Sequence, residues 1–118
     1  MGDMVTHIRS ATIVGTQAIP IDVEVDISGS WPGFQIIGLP DASIHEAKDR
    51  IRSAWKYAGL SFPHSSRIVV NLAPAHIKKK GSSFDLPIAI GMHISHTDKT
   101  YNIDTSLFVG ELTLDGHV

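Results

Sequence analysis

The stretch Ile19-Pro20-Ile21-Asp22-Val23-Glu24-Val25-Asp26-Ile27 alternates without a break. Ile19, Ile21, Val23, Val25 and Ile27 fall on one face, and Pro20, Asp22, Glu24 and Asp26 on the other. A period of two is the pattern of a strand with one face buried. An apolar-rich run, Ile8 to Val14, precedes it, and Gly15 to Ala18 reads as a hairpin link between the two. Ser28 to Gly33 is a loop. Phe34 to Ile37 is a third strand, stopped by Gly38-Leu39-Pro40.

A helix follows. Ile44, Ala47, Ile51, Ala54, Trp55 and Ala58 recur at helical spacing. Asp41 or Ser43 can cap its start, Ser43 and Glu46 having the form of a capping box. Gly59 stands where a left-handed residue ends a helix. Ser66 to Leu72 is an apolar strand, and Ala75 to Phe84 a basic and then glycine-serine connection. Asp85 to about Ser95 reads as a second helix, apolar on nearly every side, with Asp85 as its N-cap and Pro87 in the first turn, where a missing N–H is tolerated. Leu107 to Leu114 is a last strand, before an Asp115-Gly116 turn. The order predicts an α+β domain: a small mixed sheet covered by two helices.

The chain has 118 residues, enough for one domain. Hydrophobic residues make up 42% and charged residues 19%, and the net charge is −2, so any basic site is local. Without cysteine there is no disulfide framework, thiolate metal site or cysteine nucleophile, which fits a reducing cytosol. No stretch approaches the ~18 apolar residues of a membrane span. Residues 1–5 read as a tag or disordered start, and 6–118 as the domain.

Lys78-Lys79-Lys80 before Gly81-Ser82-Ser83 places three ammonium groups beside a helix N-terminus, an anion site in form. A solvated loop is the plainer reading. The lysines precede the glycine, so no phosphate-binding G-x-x-x-x-G-K-[ST] loop is present. His45, Lys48, Arg52 and Lys56 form one stripe on the first helix, able to follow a phosphate backbone or simply to face water. Glu46 and Asp49 lie close by and dilute it. Arg67 joins the basic loop if the fourth strand begins near it. His93, His96 and Asp98 do not make a convincing zinc set, and no metal is expected. Ser82 and Ser83 lie near lysines, but no G-x-S-x-G occurs and no catalytic residue is assigned.

Four segments resemble one family. Gly33-Phe34-Gln35-Ile36-Ile37-Gly38-Leu39-Pro40-Asp41 is similar to its G-F-x-I-V-G-L-P-D signature, and Val70-Asn71-Leu72-Ala73-Pro74-Ala75 to its V-N-L-A-P-A. The stretch from Lys79 to Gly91 resembles its K-x-G-S-x-F-D-L-P-I-A-I-G, and Phe108 to Gly116 its F-x-G-E-L-x-L-D-G. On these matches the chain is identified as a member of the magnesium-chelatase-like ComM/YifB-type family.

The resemblance implies a ribosomal-protein-S5-domain-2-like fold, shared with the proteolytic domain of Lon. It also implies that an AAA+ module follows residue 118, using ATP and magnesium in a homo-hexameric ring, whereas this part binds no cofactor. Family members of the ComM type act on DNA as branch-migration helicases in natural transformation. The expectation is therefore a non-catalytic accessory domain, with Lys78, Lys79, Lys80, Lys48, Arg52, Lys56 and Arg67 as candidate contacts to single-stranded or branched DNA. A protein-interaction domain, anchored by Trp31 and Phe34 if they are exposed, is the alternative. A Lon-like Ser-Lys peptidase is the third reading, and the stretch lacks Lon's G-P-S-A-G turn. His76 and Lys80 stand where the family commonly has acidic residues, which makes this loop more basic than usual.

Overall fold

The computed structural model describes residues 5–79, 82–97 and 100–118. Four strands and two helices follow one another as β1 (Thr6–Val14), β2 (Gln17–Ser28), β3 (Gly33–Ile37), α1 (Asp41–Tyr57), β4 (Arg67–Ala73) and α2 (Asp85–Thr97). The sheet order is β1-β2-β4-β3. β1/β2 and β2/β4 are antiparallel, while β3, joined to β4 through α1, lies parallel to it. This is the expected small mixed sheet with two helices.

The alternation in β2 decides which face is covered. Ile21, Val23 and Val25 are buried, and beside them lie Ile8 of β1, Ile68, Val70 and Leu72 of β4, and Ile36 of β3. Ala47, Ile51, Ala54 and Trp55 of α1 and Ile88 and Met92 of α2 complete the core from the other side. Burying a Val, Leu, Ile, Phe or Met side chain contributes roughly 1.5–3 kcal/mol, so this one layer of contact carries most of the stability. The opposite face of the sheet presents His7, Arg9, Asp22, Glu24, Asp26, Arg67, Asn71 and Gln35 by the same alternation.

Two glycines hold the layers close. A Cβ on Gly91 of α2 would lie 2.7 Å from Val25 Cγ2 and 3.2 Å from Ile8 Cγ1, so only a bare backbone lets α2 sit this near β1 and β2. Gly38 has φ +105° and would place a Cβ 2.8 Å from Leu72 O, so the turn from β3 into α1 requires glycine twice over.

Several boundaries differ from the sequence reading. The hairpin link is only Gly15-Thr16, because Val14 already pairs with Gln17. α1 has Pro40 as N-cap and no side-chain cap. The Pro40 carbonyl accepts from Ser43 and Ile44 N–H at 2.9 and 3.1 Å, so the proposed Asp41 or Ser43 caps are not used. Its other end is as read: Leu60 N–H bonds Trp55 O at 3.1 Å and Gly59 N–H bonds Lys56 O at 3.0 Å, a Schellman closure with Gly59 at φ +77°.

The predicted last strand does not form. Residues 107–114 belong to no ladder. Phe108 N–H reaches Arg9 O, while Gly110 exchanges bonds with Ser83 O and Leu86 N–H, so the segment divides its hydrogen bonds between β1 and the turn into α2. Leu112 is its buried anchor. No helix of the described residues is long and apolar enough to cross a membrane.

Candidate nucleic-acid interface

α1 carries the first candidate surface. Lys48, Arg52 and Lys56 recur every four residues, so they share one face. Beneath them lies a row of rings. Phe34 of β3 is 6.0 Å from Phe62, Phe62 is 5.9 Å from Trp55 in an edge-to-face pair, and His64 is 5.1 Å from Phe62 on the outer side. The Arg52 guanidinium stands 5.3 Å from the Phe34 centroid and 6.0 Å from that of Phe62. The Lys48 ammonium is 5.6 Å from Phe34, and the Lys56 ammonium is 5.9 Å from Tyr57. These are cation–π distances. They hold the cations in place without neutralising them.

The acids next to the stripe pair with other residues. Asp49 lies 3.6 Å from His45, and Glu46 3.9 Å from Arg50. Among the described residues, no carboxylate comes within 4.0 Å of Lys48, Arg52 or Lys56. Two recesses flank the stripe. One of about 880 Å³ is lined by Asp49, Arg52, Lys56, Tyr57, Phe62 and His64, and one of about 240 Å³ by Phe34, Arg52, Phe62 and His64.

The basic loop is different. Lys79, expected at the surface with its neighbours, is 0% exposed. Its Nζ donates to Pro74 O at 2.6 Å and Ile77 O at 2.8 Å, so the ammonium closes the loop on itself instead of facing a ligand. Burial lowers its pKa from the usual lysine value. Lys78 is exposed, and Lys80 and Gly81 lie outside the described residues.

Arg67 does not join that loop. It opens β4, whereas the loop follows the strand's end, and six residue steps at about 3.3 Å put the two roughly 20 Å apart. Arg67 instead faces the open side of the sheet, with its Nη2 3.4 Å from Gln35 Oε1. Among the described candidates, Lys48, Arg52 and Lys56 stand together on α1, while Arg67 lies at the far end of β4 from the loop and Lys79 is sealed within it.

The loop leads into a site that the sequence reading missed. Arg50 Nε donates to Asp85 Oδ2 at 2.6 Å and Arg50 Nη2 to Asp85 Oδ1 at 3.2 Å, a two-pronged ion pair. The Leu112 N–H donates to Asp85 Oδ2 at 3.1 Å. The Asp85 side chain is 2% exposed. Asp85 was expected to cap α2, but its carboxylate turns across to α1 and the C-terminal segment. Burial raises the Asp85 carboxyl above the usual carboxylate range, and the bonds from Arg50 and Leu112 oppose that rise. The hydrogen bond to Asp85 raises the Arg50 guanidinium. One signal for Arg50 was available: it stands three residues after Ala47 and four before Ala54, on the flank of the buried face.

Ser82 donates its hydroxyl to Glu111. Among the described residues no lysine bonds Ser82 or Ser83, and Lys79 is occupied by carbonyls. Of the histidine set weighed for a metal, His93 packs against Trp55 and Tyr101, His96 is exposed, and Asp98 lies outside the described residues. Trp31 is 82% exposed and is not core; Phe34 is half-buried beneath Arg52 and is not a free anchor.

The chain is a small α+β domain with a one-sided helical layer and a basic face on α1. Residues 23–118 match the family model described as subunit ChlI of Mg-chelatase, and the chain belongs to that family. Within it the chain is of the ComM/YifB type. It is 43% identical over 113 residues to the uncharacterized protein YifB of Escherichia coli, covering 95% of this chain and 22% of that protein. It is 42% identical to the competence protein ComM of Haemophilus influenzae, covering 94% of this chain and 22% of that protein. An uncharacterized protein of Mycobacterium tuberculosis is 34% identical over 110 residues, with 92% and 22% covered. The chain thus spans about a fifth of the length of these relatives.

Proposed function

We propose that this chain is a non-catalytic accessory domain of a ring-forming, cytoplasmic AAA+ ATPase, and that α1 gives it a grip on single-stranded or branched DNA. The observation that carries the reading is the placement of Arg52 and Lys48 over Phe34, beside Phe62 and His64, with no acid paired to them among the described residues. Cations that follow a backbone and rings that can stack on bases are the two components of single-strand binding, and here the rings left open beside the cations are the exposed His64 and Tyr57, since Arg52 and Lys48 cover Phe34. The competence name of the Haemophilus relative agrees with a role in DNA uptake or processing. ATP and magnesium would act in the remainder of the parent protein, which would assemble as a hexamer and drive branch migration.

The test is fluorescence anisotropy of the domain with single-stranded and branched DNA over a range of salt. Changing Lys48, Arg52 and Lys56 together to alanine is expected to reduce the salt slope by about 2, at ~0.7 per phosphate contact on a single strand. An unchanged slope would remove α1 from the interface. The exposed Trp31, next to Pro32, favours a second reading as a protein-docking anchor. A Trp31→Ala variant that keeps DNA binding but loses assembly of the full-length ring would support it.

A further inference from the structure

The face of the sheet away from the helices carries a second kind of site. Asp22, Glu24 and Asp26 stand at successive outward positions on β2. Like charges spaced this way repel one another, and only counter-charges or a bound cation relieve them. Arg9 stands directly opposite Asp22 in the register, yet among the described residues it forms no ion pair there. The group that meets Asp22 is His7, whose Nδ1 lies 2.8 Å from Asp22 Oδ2. His7 is also the register partner of Glu24. Glu24 is held in turn by Asn71 of β4, whose Nδ2 donates to Glu24 Oε1 at 2.8 Å, and Asn71 Oδ1 is buried without a partner.

We propose that His7, Asp22 and Glu24 form a binding site for a divalent first-row transition cation, of which zinc is the type. Their ligand atoms, one imidazole nitrogen and two carboxylate oxygens, all lie within 4.8 Å of one another. Zinc holds such atoms at about 2.0–2.2 Å. The ligand atoms would then settle at about 3–3.5 Å from one another, the His7–Asp22 pair opening slightly from 2.8 Å and wider separations closing, an adjustment within reach of side chains at the surface of a sheet. An imidazole ligand favours zinc over magnesium or calcium, which take oxygen donors. Asn71 is the positioning residue, fixing the Glu24 carboxylate as an outer partner fixes a ligand. Three protein ligands leave further coordination positions to water or to an anionic group. A bound ion would tie the edge strand β1 to β2 and neutralise the acidic face.

The sequence reading weighed only His93, His96 and Asp98 for a metal; His7, Asp22 and Glu24 were not brought together because they are spread over both arms of a hairpin. A two-residue turn at Gly15-Thr16 brings His7 opposite Glu24, whereas a four-residue link does not specify that pairing.

Titration calorimetry of the untagged chain with zinc chloride tests the site, with magnesium chloride as competitor. The expected result is one zinc per chain, insensitive to magnesium. His7→Ala, Asp22→Asn and Glu24→Gln should each weaken binding tenfold or more, and Asn71→Ala by roughly tenfold. His7→Cys should retain zinc, because a thiolate replaces the imidazole, and this separates a lost ligand from a damaged fold. His45→Ala and His117→Ala remove the other exposed histidine–carboxylate pairs and should change nothing. Zinc should also raise the melting temperature of the wild type and not of His7→Ala. No saturable binding, or binding indifferent to His7 or equally sensitive to His45 or His117, would mean adventitious surface zinc only and would overturn the proposal.

Discussion

Arg50 and Arg52 stand two residues apart on α1 and have opposite fates. Arg50 turns inward, is 20% exposed, and spends its guanidinium on the buried Asp85. Arg52 turns outward over Phe34 and Phe62 and keeps its charge available. The step of two residues is about 200° around a helix, so the two side chains must face different neighbours. The same separation recurs in the loop, where Lys79 is sealed and Lys78 is not. Residue type alone does not tell a cation committed to the core from one left free at the surface; the register against the core does.

The largest expected effect is at Asp85. Asp85→Ala leaves Arg50 partly buried without its partner, a change that costs about 3–5 kcal/mol. Chemical denaturation reads this directly. The double replacement Arg50→Met/Asp85→Leu should recover much of the loss, since an apolar pair avoids the desolvation of two charges. A loss for Asp85→Ala no greater than that of a surface substitution would erase the contrast with Arg52.

Next comes the lysine pair. Lys79→Met removes the Nζ donor from Ile77 O and leaves Pro74 O only the longer bond from Ile77 N–H at 3.3 Å, and an unpaired group away from water costs about 1–3 kcal/mol. Lys78→Ala is expected within about 0.5 kcal/mol of wild type. Thermal melts of the two variants side by side decide it, and equal losses would show that Lys79 is as free as its neighbour. Arg52→Ala ranks below Lys79→Met in stability, since exposed cation–π contacts contribute only about 0.5–1 kcal/mol. On the proposed DNA-binding reading, Arg52→Ala should nevertheless weaken binding to single-stranded DNA, whereas the Arg50→Met/Asp85→Leu double replacement should leave it unchanged.

Periodicity made the frame legible. The alternation in β2, the apolar spacing in α1 and the Gly59 stop all appear as read, because each depends on a pattern within one element. The misreadings occur where a residue's partner is distant in sequence. Asp85 resembles a helix cap until Arg50, 35 residues earlier, is brought beside it. Residues 107–114 carry a strand-like composition, but their backbone groups divide between Arg9 and the turn at Ser83–Leu86. The lysine run predicts a basic surface, and only the path of the loop places Pro74 O and Ile77 O around one of the three. The α1 stripe was visible as a stripe, while the rings under it come from β3 and the loop after α1.

The smallest effect lies at the end of the chain, where the turn after Leu112 is closed by its own groups. Thr113 Oγ1 donates to Asp115 Oδ1 at 2.5 Å, His117 N–H donates to Thr113 Oγ1 at 3.1 Å, and Thr113 N–H donates to His117 O at 2.8 Å. The Thr113 hydroxyl holds the Asp115 carboxyl below the usual carboxylate range. A depressed folded pKa means that the stabilisation is present above the ordinary carboxylate value and is lost as pH falls through the depressed one. Asp115→Asn should therefore lower the melting temperature slightly at neutral pH, and the difference from wild type should vanish in acid. The group is fully exposed, so salt should shrink the difference as well. Amide exchange adds the sharper comparison. If Asp85 holds Leu112 independently of the turn, Asp115→Asn leaves the Leu112 N–H protected while Asp85→Ala exposes it. Loss of Leu112 protection in both variants would make the turn and the buried ion pair one cooperative unit, and would extend the structural role of Arg50 to the last residues of the chain.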